Sequence, residues 1–353
     1  MTQIITATAP VRTCDCGGWT DTWFARHGAV FNVAVNPGVR VVVRANDAPP
    51  GPPAAVTLRA ENFGDCYAFL PGTRPWVRHP LLEAAIESVG VPHGMALDVS
   101  VRSGVPPGAA TGTSAAVCVA LVGALRALWG RNADPDEVAR AAHAVEVDRL
   151  GQQSGVQDQF AAAHGGISHI GIREYPAAAR RAVAASDDVR GALERQLLLV
   201  YLGRTHDSSA VHQEVIRSLG RTDSAGSAAL DDLRRAADAA RDAVEAGSLP
   251  GLGEAMRANT EAQRRLHPSL VGADARRVIA AVAARGALGW KVNGAGGEGG
   301  SLAVLCPSGT AARAAIEAAI AHASAGCQVL PTSIALAGLE VSVAGNSGRE
   351  EAG

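Results

Sequence analysis

The stretch that most constrains how this chain can fold is residues 103–116, Ser-Gly-Val-Pro-Pro-Gly-Ala-Ala-Thr-Gly-Thr-Ser-Ala-Ala. An alternating apolar run at residues 95–101 precedes it and reads as a strand. Residues 115–128, rich in Ala, Leu and Val, follow it and read as a helix. A loop of Gly, Pro and small hydroxyl residues therefore opens directly into a helix N-terminus. The first N–H groups of a helix have no partner within it, and the helix dipole adds positive potential, so such a place attracts anions and phosphate above all. Gly104, Gly108 and Gly112 permit close backbone approach, while Thr111, Thr113 and Ser114 offer hydroxyls. An ordinary strand-to-helix loop capped by Thr113 or Ser114 leaves the same local pattern, so the rest of the chain must decide between them.

The chain has 353 residues, 47% hydrophobic and 19% charged, which suits a core-forming protein of two domains. A formal net charge of -2 with both signs interspersed argues against a nucleic-acid or membrane-surface partner. Of the six cysteines, only Cys14 and Cys16 lie close together, and no second pair completes a zinc pattern. Reduced thiols in a cytoplasmic protein are expected. The first residues lack the basic-then-apolar pattern of a leader, and residues 115–128 are too few to span a bilayer. The expected state is a monomer or homodimer.

In chain order, strands are predicted at residues 3–13, then at 29–35 and 39–44 joined by a turn at Asn36-Pro37-Gly38, then at 56–60 and 66–70. A helix at 79–89 precedes the strand, glycine loop and helix already described. Asp134-Pro135-Asp136-Glu137 is a strong helix start, running to about Leu150. Residues 151–155 break that helix, 156–163 resume one, and 167–172 read as a strand. Residues 174–192 are rich in Ala and Arg without a sharp pattern and are taken as the domain boundary. Beyond it come a strand at 196–202, three or four helices between 208 and 284, strands at 287–292 and 301–306, a helix at 310–323, and strands at 328–330 and 339–343. Residues 225–246 read as a helix with a solvated face. Hairpins mixed with crossovers favour an α+β fold over a doubly wound sheet. The domains are expected at 1–185 and 195–345, with a tail at 346–353.

Three glycine-bearing loops, at 15–22, 103–116 and 293–300, lie far apart. The last, Asn-Gly-Ala-Gly-Gly-Glu-Gly-Gly, is too glycine-dense for a plain hairpin turn. Its surplus suggests backbone packed closely against another loop or a ligand. Between the loops lie acids. Glu146 and Asp148 are two apart on a helix, so they point to different faces. Asp158 opens a helix within Gln157-Asp158-Gln159. A surface carboxylate for Glu146 and a dipole-stabilised first-turn acid for Asp158 are the plain structural alternatives.

These residues carry a resemblance. Pro10-Val11-Arg12 with Gly17-Gly18-Trp19-Thr20-Asp21, then residues 106–116, then residues 291–300, resemble in order the three motifs of the GHMP small-molecule kinases, which include galactokinase, homoserine kinase and mevalonate kinase. The form of the first motif and the Gln-Asp-Gln resemble the sugar-kinase branch, L-fucokinase and D-glycero-D-manno-heptose 7-phosphate kinase. The resemblance implies a two-domain α+β fold with an N-terminal mixed sheet and a C-terminal ferredoxin-like sandwich. It also implies an ATP- and Mg²⁺-dependent kinase acting on a sugar or sugar phosphate, most simply at the anomeric hydroxyl. Residue by residue, it makes Asp158 the catalytic acid-base residue, either receiving the proton of the accepting hydroxyl or orienting that hydroxyl, with Arg12 as its basic neighbour, and Ser114 and Glu146 the Mg²⁺ ligands. The phosphate cradle would be Pro107, Gly108, Ala109, Ala110, Thr111, Gly112, Thr113, Ser114 and Ala115 with Gly294, Ala295, Gly296 and Gly297. The sugar would meet Gly18, Trp19, Thr20, Asp21, Gln157, Thr205 and His206.

The chain departs from the family pattern at Ala110, Thr111 and Thr113 in the second motif, where Ala110 would adopt a positive φ only at a cost. Glu298 replaces a glycine in the third motif, where a carboxylate would repel triphosphate unless it points away. His206 stands where the branch often has Arg. Two alternatives remain on sequence: a GHMP kinase for a non-sugar alcohol such as mevalonate, and a non-catalytic sugar- and ATP-binding sensor on the same fold.

Overall fold

The structure is a computed structural model that describes residues 2–48, 55–204, 213, 215–217, 225–324 and 326–345. Its spine is a pair of long antiparallel strands, β1 (Gln3–Cys16) and β2 (Gly28–Asp47). In the second half of β2, Val39, Val41, Val43 and Ala45 are buried while Arg40 and Arg44 are exposed, the period of two that a half-buried strand requires. Asn36-Pro37-Gly38 is not the hairpin turn expected from its composition. Pairing steps from Ala9↔Val39 to Val11↔Val35, so three residues of β2 face one of β1 in a bulge and the strand continues. Gly38 is required there because a Cβ would sit 2.1 Å from the Ala9 carbonyl oxygen. The flanking runs stay together because both pair with the same strand.

Around this spine the first sheet adds β3 (Val56–Ala60), β4 (Asp65–Phe69) and β5 (Met95–Ser103). It also adds β6 (Ile167–Glu174) and β7 (Ala177–Ala182). The main path runs β1-β2-β5-β3-β4, with β6 beside the first part of β2 and β7 beyond it. Among the described strands, only β3 and β5 pair in parallel. Of the helices α1 (Pro80–Val89), α2 (Thr113–Leu128), α3 (Pro135–Ala144) and α4 (Gln157–His164), α2 lies against β1 and β2 and touches the other three. Nearly every side of α2 is apolar and buried, as befits the central helix of a layer. Asp134 caps α3 as expected, accepting from the Glu137 N–H at 3.0 Å.

Residues 174–192, which showed no sharp pattern, hold regular structure. They form β7 and most of α5 (Asp187–Gln196), which is capped by Ser186 and leads straight into β8 (Leu197–Tyr201). The pattern is weak because β7 is a mostly exposed edge strand, where arginines blunt further pairing.

The second sheet holds β8, β9 (Gly289–Val292), β10 (Ser301–Leu305) and β11 (Gln328–Leu330), all antiparallel, in the order β11-β8-β10-β9. That order is the ferredoxin-like one. Its helices are α6 (Ala225–Glu245), α7 (Leu249–Leu266), α8 (Ala273–Ala283) and α9 (Thr310–Ala323). One face of α6 is solvated, as expected, and the other buries Leu233, Ala237, Ala240 and Val244, packing on β1, β2 and β6 of the first sheet. The end of the chain also returns to the first sheet. There β12 (Ser333–Ile334) pairs with β2, and β13 (Glu340–Gly345) pairs with β1 from Thr8↔Glu340 to Gln3↔Gly345. All six cysteines are free thiols. Among the described residues, no helix is long and apolar enough to cross a membrane.

Candidate active site

A cavity of about 370 Å³ lies where the end of β1, the N-termini of α2 and α4 and the loop after β9 converge. Its floor is the loop from Gly108 to Ala115. Gly112 is the N-cap of α2, with φ +70°, so Thr113 and Ser114 belong to the first turn and cap nothing. Ser114 is exposed at the cavity, and the Thr111 and Thr113 hydroxyls hydrogen-bond at 3.1 Å. Ala110 does take a positive φ, +56°. Such a conformation costs an alanine about 1 kcal/mol, and a hydrogen bond from Arg12 Nη1 to the Ala110 carbonyl offsets it.

Arg12 is buried at the end of β1. Its Nε donates to Asp158 Oδ1 at 2.8 Å and its Nη2 to Asp158 Oδ2 at 3.2 Å, a two-pronged pair that fixes the carboxylate in plane. Burial opposes the Arg12 charge, but Asp15 and Asp158 outweigh it and hold the guanidinium above its ordinary value. Asp158 sits in the first turn of α4, and Gly112 must lack a Cβ because one would lie 2.9 Å from Asp158 Cγ. The two motifs therefore touch.

Glu146 lies in a π-helical turn, Val145–Arg149, that follows α3. The wider turn is a frequent mark of functional helices. It turns Glu146 inward while Asp148 stays exposed, so the two acids do part company as their spacing predicts. Ser154 Oγ and Gln159 Nε2 both donate to Glu146 Oε2 at 2.6 Å. Burial nevertheless pushes Glu146 up to about 7. Asp21 is likewise buried and pushed up to about 6 by burial, although it accepts from the Gln157 N–H at 3.1 Å. A divalent cation fits this donor set: a buried carboxylate costly to ionise alone and a hydroxyl, Ser114, line one cavity. Among the described residues no three His, Cys, Asp or Glu side chains gather at a point, so such an ion would take its other ligands from water and substrate, as Mg²⁺ does.

The cavity thus brings together Arg12, Trp19, Asp21, the loop from Gly108 to Ala115, Glu146, Gln157, Asp158, Gly294 and Ala295. Other expected residues sit elsewhere. Pro107 is exposed and outside the lining. Thr20 is buried and its hydroxyl is committed to the loop, donating to the Gly17 carbonyl at 2.7 Å and accepting from the Ala29 N–H at 3.1 Å. Gly18 packs beneath, where a Cβ would lie 3.0 Å from Asp15 Oδ2. Gly296 and Gly297 are buried against residue 270, with a Cβ on Gly296 only 2.3 Å from the Leu270 carbonyl oxygen. Trp19 is only 3% exposed and packs against Phe24, so its indole is largely core. Thr205 and His206 lie outside the described residues. Glu298 is turned away from the cavity: its Oε1 accepts from the Ala273 N–H at 2.9 Å at the start of α8, where a helix dipole welcomes a carboxylate.

The sequence reading missed Thr22 and the wall made by Gln152, Gln153, Ser154 and Gly155. Its signal was available: a run of two amides and a hydroxyl between glycines, halfway between Glu146 and Asp158. Tyr175 braces this wall from behind, donating to the Ser154 carbonyl at 2.9 Å.

Comparison with known proteins agrees with this architecture. Residues 80–166, which carry the α2 loop, Glu146 and Asp158, match the GHMP kinases N terminal domain. A mevalonate kinase of Methanothermobacter thermautotrophicus is 30% identical over 225 residues, 60% of this chain and 65% of that one, so the match spans just under two thirds of the relative's length. A D-glycero-D-manno-heptose 1-phosphate kinase from Bacteriodes thetaiotaomicron superposes with a TM-score of 0.73 at 17% identity, covering 96% of this chain and 98% of the other. Lactococcus lactis galactokinase, solved with galactose, gives a TM-score of 0.73 at 17% identity over 96% of this chain and 95% of the other. Residues 80–166 are therefore a GHMP kinases N-terminal domain, and the chain as a whole has the GHMP-kinase fold.

Proposed function

We propose that the protein transfers the γ-phosphoryl group of ATP to a hydroxyl of a small uncharged polyol, a sugar. The observation that carries this reading is the Arg12–Asp158 fork set against the N-terminus of α2 inside one cavity. Phosphoryl transfer asks mainly for positioning and for charge to be neutralised. The backbone N–H groups of the α2 loop hold the phosphates, and Asp158, kept in place by Arg12, receives the proton of the attacking hydroxyl. Ser114 and Glu146 would hold Mg²⁺, which supplies neutralisation of the phosphate charge.

Charge supports an uncharged acceptor. Among the described residues lining the cavity, Arg12 is the sole cation, and it is committed to Asp158 and Asp15. Three carboxylates, Asp21, Glu146 and Asp158, share the same walls with Gln152, Gln153 and Gln157. Acids and amides suit hydroxyls, whereas a carboxylate or phosphate on the acceptor would need a further cation. The second reading, an acceptor such as mevalonate, is favoured by the relatives named mevalonate kinase. Release of ADP from ATP and Mg²⁺ across free hexoses, deoxysugars, heptoses, their phosphates and mevalonate decides. Turnover at least about tenfold faster with a neutral sugar is expected. Mevalonate as the best acceptor would overturn the sugar, and sugar-raised melting without any turnover would indicate a sensor.

A further inference from the structure

Two fully buried charged side chains, Asp15 and Lys291, have no part in the chemistry above. Lys291 Nζ donates to Asp15 Oδ1 at 3.1 Å and also to the Val292 carbonyl. The other oxygen of Asp15 accepts from the Gly294 N–H at 2.9 Å and lies 3.8 Å from Arg12 Nη2. Arg12 then forks onto Asp158 and donates to Ala110. Lys291, Asp15, Arg12 and Asp158 so form a line of alternating charge that sums to zero. It is drawn from β1, β9 and α4, and it grips one glycine loop at Gly294 and the other at Ala110. Asp21 is the further carboxylate whose field reaches Arg12, and the buried Cys14 and Cys16 flank Asp15 in sequence.

We infer that Asp15 and Lys291 are positioning residues, which hold Arg12 on Asp158 and tie the start of the third glycine loop to the reacting end of the cavity. A buried ion pair is a weak stabiliser in itself; its place here, touching Arg12 and one loop amide, gives it this role. Lys291 satisfies Asp15, which leaves the Arg12 fork to Asp158. Without the ammonium, Asp15 is an uncompensated buried carboxylate 3.8 Å from the guanidinium and competes with Asp158 for it. Removing both charges together ends that competition.

The role in turnover rests on the kinase reading, so the test has two readouts. The first is steady-state kinetics of wild type, Lys291→Gln and the double variant Asp15→Asn with Lys291→Gln, in which two amides can still pair and the remaining side-chain oxygen at position 15 can accept from the Gly294 N–H. The second is the ¹H–¹⁵N resonance of Arg12 Nε, assigned by its loss in Arg12→Lys, which reports the fork without turnover. Lys291→Gln is expected to lower kcat by about tenfold or more with the KM for ATP changed by less than about threefold. The double variant is expected to recover kcat to within about fivefold of wild type. The Arg12 resonance should move in the single variant and return in the double. A double variant as impaired as the single, with the resonance still displaced, would overturn the proposal, as would a single variant that leaves both readouts unchanged. If Lys291→Gln does not fold, the double variant alone decides by the same two measurements. If wild type transfers nothing to any acceptor, the kinase reading falls and the resonance still judges the positioning.

Discussion

The glycine loops at 108–114 and 294–300 look alike in sequence and do opposite things. The first turns its backbone toward the cavity, and nearly all of it is lining. The second sends only Gly294 and Ala295 to the cavity and packs Gly296 and Gly297 against the Leu270 region, where the Gly297 N–H donates to the Leu270 carbonyl at 3.0 Å. Glycine in the first loop serves approach by something else. In the second it serves approach by the protein's own backbone. A glycine-rich motif therefore does not mean ligand contact throughout, and the distinction is read from what a Cβ would strike: a functional carboxylate at Gly112, a carbonyl of the fold at Gly296.

Variants can break or sharpen that contrast. The largest effect is expected on the first side, where Asp158→Asn should lower kcat by about 10³-fold, with a lower melting temperature as well, because the buried Arg12 loses the charge it forks onto. Activity at the wild-type level would remove Asp158 from the chemistry. Next, Gly296→Ala should destabilise the protein by on the order of 3–5 kcal/mol, seen as a lower denaturation midpoint, since it combines φ +71° with a carbonyl at 2.3 Å. Gly112→Ala should reverse the balance, with kcat falling about 10²-fold as Asp158 is displaced, and a smaller stability loss of about 1–2 kcal/mol. If both alanines act alike, the contrast fails.

The acids give a pH test. Folding raises Glu146 from 4.5 to about 7 and Asp21 from 3.8 to about 6. The native state then keeps protons that the unfolded chain has lost, so the stability of the ligand-free protein falls as pH rises through those windows and levels above about 7. Glu146→Gln should remove the larger share, leaving the ligand-free variant about 3 kcal/mol more stable than wild type at pH 8 and equal to it at pH 4. The same variant should lose the Mg²⁺ dependence of ADP binding in calorimetry. The smallest effect is expected from Glu298→Gly, which restores the family residue. It should cost about 1 kcal/mol through the lost contact at the start of α8, with the KM for ATP unchanged within about twofold. A larger drop in KM would put the carboxylate back in the nucleotide's path.

What could be read beforehand follows the range of the interactions. The strand-loop-helix at 95–128, the Asp134 cap and the α2 floor of the cavity rest on neighbours in sequence, and period and turn chemistry report those. Asn36-Pro37-Gly38 was misjudged because its composition fits a turn equally well, and only the shared partner β1 keeps the strand going. β7 and α5 escaped because an exposed edge strand and a largely solvated helix bury too little to leave a pattern. Asp15 and Lys291 were invisible as a pair, since 276 positions separate them. Asn259 and Asn293 are similar cases: the first accepts from the Gly17 N–H at 2.7 Å, and the second accepts from the Cys14 N–H at 3.1 Å. Each polar residue had its motif neighbours in view and its true partner far away.

The pairing of β1 with β13 has a consequence for biosynthesis. Chains emerge from the ribosome N-terminus first, and pairings between distant segments close slowly. One edge of β1 stays without its native neighbour until residue 345 has been made, and the loop that completes the cavity is itself translated late. The reacting end cannot assemble before Gly294 and Ala295 have left the ribosome. The alternating apolar run of β1 must wait, shielded by β2 on one side and open on the other, which marks that edge as the place where a ribosome-bound or truncated chain would recruit a chaperone or aggregate.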